Sequence, residues 1–151
     1  MSTGYEPPVN PQTPGPSAPP PSYGPRPMNP SEERTWAMLS HLGALGVILF
    51  SGLLGFVVPL VVMATKGNES PYVRRHAVAS LNFQLTLLLV VVVGSIAGVI
   101  ATILTLGLGL LVIVPAAIAY AVFAFVVMIV ATVRANEGRE YDYPLSITFV
   151  T

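Results

Sequence analysis

The sequence predicts an all-α integral membrane protein, with four transmembrane helices in two hairpins and a disordered, proline-rich N-terminal tail. Only 9% of the 151 residues are charged, whereas a soluble domain carries about 25%. Between Trp36 and Val133 the charged residues are Lys66, Glu69, Arg74 and Arg75, all inside one short polar break. The apolar runs around this break are long enough for a hydrocarbon core of ~30 Å, which requires about 20 residues per span.

The N-terminal tail comprises residues 1–30 and carries eleven of the fifteen prolines. Proline fixes φ and removes a backbone donor, and the tail has few large apolar side chains. We therefore expect it to be disordered and partly polyproline-II. One interpretation is a solvated spacer. The alternative is a docking peptide for the aromatic groove of a protein partner, with PxxP spacings at residues 11–14 and 16–19.

Two helix starts are predicted, one at the junction between the tail and the membrane domain, residues 31–151, and one inside that domain. Asn29 is expected to cap the first helix, because Pro30 suits the first helical position and Glu32 lies three residues after the cap. Ser70 is expected to cap a later helix that Pro71 opens.

Four spans are predicted in this domain, at about residues 34–50, 53–66, 77–104 and 110–134. The first two are separated at Phe50-Ser51-Gly52, and one long tilted helix is the alternative there. With four spans, all seven lysines and arginines lie on one side of the membrane. The positive-inside rule then places both termini in the cytoplasm, and a cysteine at Ser51 is expected to be labelled from outside. The residues expected at the cytoplasmic interface are Trp36, Arg74, Arg75, Tyr141, Tyr143 and Pro144.

A candidate polar cluster is predicted where the first and third spans begin. Polar side chains in a membrane helix are costly unless they are paired, so each is a functional hypothesis. Three interpretations remain open: hydrogen bonds between helices, a polar vestibule for a translocated solute or peptide, and a metal or proton site using the two histidines. The cluster consists of His41, His76, Ser80, Asn82 and Gln84.

A GxxxG motif lies inside the third span at Gly94 and Gly98. Small residues four positions apart allow two helices to approach closely in a membrane. The motif predicts helix packing, either within the chain or between copies in a homo-oligomer.

Several local sequences together resemble a known family. They are the run from Glu33 to Leu42, Ser70-Pro71-Tyr72-Val73 with His76, the run from Ala79 to Gln84, Ala135-Asn136-Glu137-Gly138, and Tyr141-Asp142-Tyr143-Pro144. Residues 31–151 resemble a bacterial family of small four-helix membrane proteins of unknown function. That family is distantly similar to the twenty-kilodalton Tic component of the chloroplast import machinery. The resemblance implies a multi-pass protein of the bacterial plasma membrane.

The composition points away from several function classes. There are no cysteines, and the net charge of zero gives no electrostatic case for binding nucleic acid. The sequence shows no catalytic set, cofactor motif or metal site. We therefore expect a non-enzymatic membrane scaffold or adaptor that contacts lipid and recruits partners at its cytoplasmic face. The alternative is a channel or translocase component, as the Tic resemblance implies.

Overall fold

A computed structural model describes residues 27–151, and every regular element within that range is helical. A single 3₁₀ turn, Leu54–Phe56, precedes the second of four α-helices. The predicted tail lies outside the described residues except for its last four. The helices are α1 Pro30–Ser51, α2 Val57–Lys66, α3 Pro71–Leu104 and α4 Leu110–Asn136.

Both predicted helix starts are confirmed. Asn29 accepts a hydrogen bond from the Glu32 backbone N–H at 2.9 Å, and the Glu32 carboxylate accepts one from the Asn29 N–H at 3.1 Å. This reciprocal pair is a capping box. At the start of α3, the Ser70 hydroxyl accepts a hydrogen bond from the Val73 N–H at 3.3 Å.

The predicted break between the first two helices is also present. α1 ends at Ser51, and Gly52 adopts a φ of +74°, a conformation that glycine reaches without steric cost. The Gly52 N–H still donates to the Ile48 carbonyl at 2.8 Å, and the chain then turns through the 3₁₀ segment into α2. α1 and α2 are therefore separate helices rather than one long helix.

Two helices, α3 and α4, are long and apolar enough to cross a membrane. The segment Leu54–Lys66 is also apolar but shorter. In the most apolar stretch of α3 none of the residues is buried inside the protein, and in α4 the share is 11%. Core helices of soluble proteins bury such stretches, so this exposure is typical of a lipid-facing surface.

α1 is the central helix and packs against α2, α3 and α4. The main core forms where α1, α3 and α4 converge, around Leu45, Phe83 and Met128. Farther along, α3 and α4 separate, and together with the end of α1 they line a cavity of about 1310 Å³ whose side chains are almost entirely apolar. They approach again near their connecting turn, where the Ile113 side chain lies 3.6 Å from the position of a Cβ on Gly98.

Glycines permit the close approach of α1 to the segment that includes α2. A Cβ on Gly43 would lie 2.7 Å from the Val58 side chain, and one on Gly55 would lie 2.5 Å from Ile48. Of the GxxxG pair, Gly98 is in ordinary contact with α4, whereas no atom lies within 4 Å of a Cβ on Gly94. The close glycine contacts with side chains of a facing segment therefore lie in the first hairpin, residues 30–66, rather than at the GxxxG pair.

Candidate functional site

The ends of all four helices meet at one face of the molecule. The Ser70 hydroxyl before α3 donates to the Glu33 carboxylate in α1. The Tyr72 hydroxyl donates to the carbonyl of Ala135 at the end of α4, at 2.9 Å. Lys66, the last residue of α2, lies 5.6 Å from the centre of the Trp36 ring. These contacts build a polar platform from the starts of α1 and α3 and the ends of α2 and α4.

A chain of three hydrogen-bonded rings lies inside this platform. His41 Nε2 is 2.9 Å from His76 Nδ1, and His41 Nδ1 is 2.9 Å from the Tyr143 hydroxyl. All three side chains are buried. The Tyr143 ring also stacks on Phe83, with centroids 4.2 Å apart and planes 13° apart. These three hydrogen-bonded rings thus join α1, α3 and the residues after α4.

One arrangement of protons along this chain of rings has the Tyr143 hydroxyl as the donor. Burial raises the pKa of Tyr143, so its hydroxyl keeps a proton at neutral pH and can donate it. If Tyr143 donates to Nδ1 of His41, the neutral His41 ring carries its proton on Nε2 and donates it to His76. His76 then carries its own proton on Nε2, which is buried without a hydrogen-bond partner among the described residues.

The other three residues of the predicted cluster bind elsewhere. The Ser80 hydroxyl donates to the Ser40 carbonyl of α1 at 2.7 Å, which ties α3 to α1 at this level. Gln84 Nε2 lies 3.7 Å from the Met128 sulfur of α4. Asn82 forms its hydrogen bonds with the backbone of the residues after α4.

The C-terminal segment, residues 139–151, folds back along α3. Asn82 Oδ1 accepts hydrogen bonds from the Phe149 and Val150 N–H groups, and Asn82 Nδ2 donates to the Val150 carbonyl, all at 2.9 Å. The Thr86 hydroxyl accepts from the Ile147 N–H at 2.9 Å. Side chains of α3 thus supply the hydrogen bonds that a neighbouring strand would provide to an extended segment.

This segment descends from α4, reverses at Leu145 and returns to the platform. Leu145 has a φ of +60°, and the chain after it runs antiparallel to α3. At the end of the return, the carbonyl of Thr151 accepts a hydrogen bond from Arg74 at 3.0 Å. Arg75 forms an ion pair with Glu140 at 2.7 Å, at an exposed position.

The predicted interface residues divide into two groups. Arg74, Arg75 and Pro144 are exposed, and Trp36 and Tyr141 are half-buried. Tyr143, expected in an aromatic belt at the membrane interface, is instead buried inside the platform and only 7% exposed. The sequence shows its apolar and aromatic character but not its partner, because the partner lies 102 positions away.

The platform does not offer a set of metal ligands. Both nitrogens of His41 and one nitrogen of His76 are already hydrogen-bonded, so one ring nitrogen is left. Structural and catalytic zinc sites use three or four protein ligands. In residues 27–151 no group of three or more histidine, aspartate or glutamate side chains is arranged to hold a metal ion.

The comparisons with known proteins identify one family. Its sequence profile, described as the magnetosome magnetite crystal formation protein family, matches residues 32–150. No curated protein and no solved structure matches the chain. The match supports the predicted resemblance to a bacterial membrane family, and it gives no support to the similarity with the Tic component. Because the match covers most of the sequence, including α1 to α4 and the C-terminal segment, the chain belongs to the magnetosome magnetite crystal formation protein family.

Proposed function

We propose that this chain is a non-enzymatic scaffold of a bacterial membrane, and that it takes part in forming magnetite crystals. The family description supports the biological process. One structural observation carries the scaffold proposal: the polar cluster is used to fasten the chain to itself. Its side chains hold α1, α3, α4 and the C-terminal segment together. Side chains committed in this way serve rigidity better than chemistry.

The topology that we propose has two hairpins entering the bilayer from one face. The first consists of α1 and α2, and the second of α3 and α4. Support comes from the platform, where the helix ends meet and where the lysine and arginine residues of the described range are found. The positive-inside rule assigns this face, with both termini, to the cytoplasm.

The scaffold presents two elements to cytoplasmic partners. One is the proline-rich tail, residues 1–30, which precedes α1 and so enters the fold at the platform. The other is the rim formed by Arg75, Glu140 and Tyr141, which is exposed or half-buried. We propose that the tail recruits a protein partner through its polyproline segments.

The lining of the cavity beside α3 and α4 favours a scaffold function over a channel function. Its lining is almost entirely apolar, with Gly94, Ala117 and Tyr120 among the residues that face it. A path for ions or polar solutes requires polar groups that replace water. This cavity suits lipid chains or another apolar surface.

Crosslinked co-purification from magnetite-forming bacterial cells tests the proposal. The full chain is compared with residues 31–151 and with a full-length control in which Pro11, Pro14, Pro16 and Pro19 are replaced by alanine. We expect a partner protein that is recovered with the full chain and lost from both variants. Equal recovery from all three chains would contradict recruitment by the tail.

Crystal dimensions test the link to magnetite. The full chain is expressed in a magnetite-forming bacterium that lacks its own member of this family. Electron microscopy should show that the crystals return to the size found in the unmodified cells. Crystals that stay as they are in the deletion strain, although the protein reaches the membrane, would contradict a role in crystal formation.

A further inference from the structure

The two hairpins start at the same level but differ in length. The bond from Ser80 to the Ser40 carbonyl fixes one level that α1 and α3 share. From Ser40, α1 continues for eleven residues to Ser51, which corresponds to about 16 Å at 1.5 Å per residue. From Ser80, α3 continues for 24 residues to Leu104, which is about 36 Å. The tip of the second hairpin therefore extends roughly 20 Å beyond the tip of the first.

The hydrocarbon boundary on α3 is placed near Leu85 by length. A core of ~30 Å takes about 20 helical residues, and counting back 20 residues from Leu104, the end of α3, gives Leu85. The C-terminal segment supports a boundary near this level, because the last hydrogen bond that it makes along α3 joins the Ile147 N–H to the Thr86 hydroxyl. Irregular backbone that faces lipid does not occur within the hydrocarbon region.

The tip of the first hairpin then lies inside the bilayer. Ser51 is level with about residue 91 of α3, roughly 10 Å past the boundary. The side chains around this tip are apolar and point outward: Leu49 is 69% exposed and Phe50 is 95% exposed. Such a surface is stable in lipid and costly in water.

We infer that the first hairpin enters only the cytoplasmic leaflet, and that the protein is a wedge that prefers membranes whose cytoplasmic leaflet is convex. The near leaflet holds parts of four helices, whereas the far leaflet holds α3 and α4 alone. Unequal cross-sections expand one leaflet relative to the other, and bending toward the wider side relieves the mismatch. The ligand of this surface is thus a curved bilayer, and the inference rests on the proposed one-face topology.

The depth of Ser51 tests the first half of the inference. A Ser51→Cys variant should react with membrane-impermeant reagents from neither side. A fluorophore attached there should be quenched most strongly by quenchers in the acyl chains of the cytoplasmic leaflet. Leu108→Cys, in the exposed turn between α3 and α4, is the reference for a position that is labelled from outside. Labelling of Ser51→Cys from outside, as four full spans require, would overturn the inference while leaving the one-face topology intact.

Curvature preference tests the second half. The full chain carrying Thr151→Cys is reconstituted into vesicles of mixed diameter and labelled with an impermeant dye, so that only copies with the platform outside are counted. We expect dye density per membrane area to rise several-fold from the largest to the smallest vesicles. In the matched control, about ten apolar residues are inserted into each arm of the first hairpin, beside Ser51, so that it crosses both leaflets.

The control with the lengthened first hairpin should insert into vesicles as well as the natural chain. Its dye density per membrane area should not depend on vesicle diameter. A flat density for the natural chain would overturn the wedge, and so would the same slope in both chains. A separate result would contradict the one-face topology. In that case Thr151→Cys and a cysteine in the tail would be labelled from opposite faces of the membrane.

Discussion

His41 and Tyr143 lie 102 positions apart in the sequence, yet their side chains are 2.9 Å apart in the fold. The position of His41 beside the start of α3 could be predicted, because helical spacing and two recognisable caps fix where α1 and α3 begin. The identity of its partner could not be predicted. Nothing local marks Tyr143 as different from Tyr141, and only the reversal of the C-terminal segment distinguishes them.

Removing the Tyr143 hydroxyl should destabilise the platform. Tyr143→Phe keeps the stack on Phe83 but leaves a buried nitrogen of His41 without its partner. An unsatisfied buried polar group costs about 1–3 kcal/mol. Unfolding followed by near-ultraviolet circular dichroism in detergent should show a loss of this size.

Tyr141→Phe is the matched control for this substitution. The Tyr141 side chain is half-buried, and no hydrogen bond of its hydroxyl is found among the described residues. We expect little change in the free energy of unfolding. An equal loss in both variants would show that the bond to His41 contributes nothing specific.

The C-terminal segment is the element that sequence reasoning describes least well. The alternation of Leu145, Ile147 and Phe149 with polar residues suggests extended backbone, whereas the structure shows an irregular segment that runs antiparallel to α3 after Leu145. The sequence does not predict its docking site, because Asn82 is assigned to the polar cluster with the histidines and nothing local points to the C-terminal segment as its partner. The Asn82 and Thr86 side chains in fact bind the backbone of this segment.

Asn82→Ala should release the end of the segment. The change removes three hydrogen bonds, two of which protect the N–H groups of Phe149 and Val150. Hydrogen exchange at these two amides should become much faster, while the Ile147 amide, held by Thr86, keeps more of its protection.

Thr148→Ala serves as the control, since the Thr148 side chain is exposed and no hydrogen bond holds it among the described residues. Exchange at Phe149 and Val150 should then remain slow. Unchanged protection in Asn82→Ala would mean that the amide does not hold the segment in solution.

Two glycines of α1 should respond in opposite directions to the same substitution. A Cβ on Gly43 meets Val58 at 2.7 Å, whereas a Cβ on Gly46 has no atom within 4 Å. Gly43→Ala should therefore destabilise the first hairpin, by about 1–3 kcal/mol if the strain is that of an overpacked core. Gly46→Ala should stabilise α1 by about 0.5–1 kcal/mol.

Thermal unfolding of the two variants in the same detergent provides the comparison. Equal shifts for Gly43→Ala and Gly46→Ala would contradict the close packing of α1 against α2.

At the scale of the whole molecule, composition alone predicts the solvent and the helical class. Charge placement predicts which helix ends share a face, because every lysine and arginine is kept away from the apolar runs. The relative depth of the two hairpins cannot be predicted in this way, because it depends on contacts between distant residues, such as Ser40 with Ser80, that no local pattern reveals. Apolar length alone predicts four spans, whereas two helices, α3 and α4, are long and apolar enough to cross a membrane among the described residues.

The central claim is that two hairpins enter the bilayer from a single face. Because the chain has no cysteine, single cysteines at Ser2, Leu108 and Thr151 report the side of each position without background. In intact cells and in inverted vesicles, the account predicts that Ser2→Cys and Thr151→Cys are labelled only from the cytoplasmic face, and Leu108→Cys only from the opposite face. Labelling of Ser2→Cys and Thr151→Cys from different faces would contradict it.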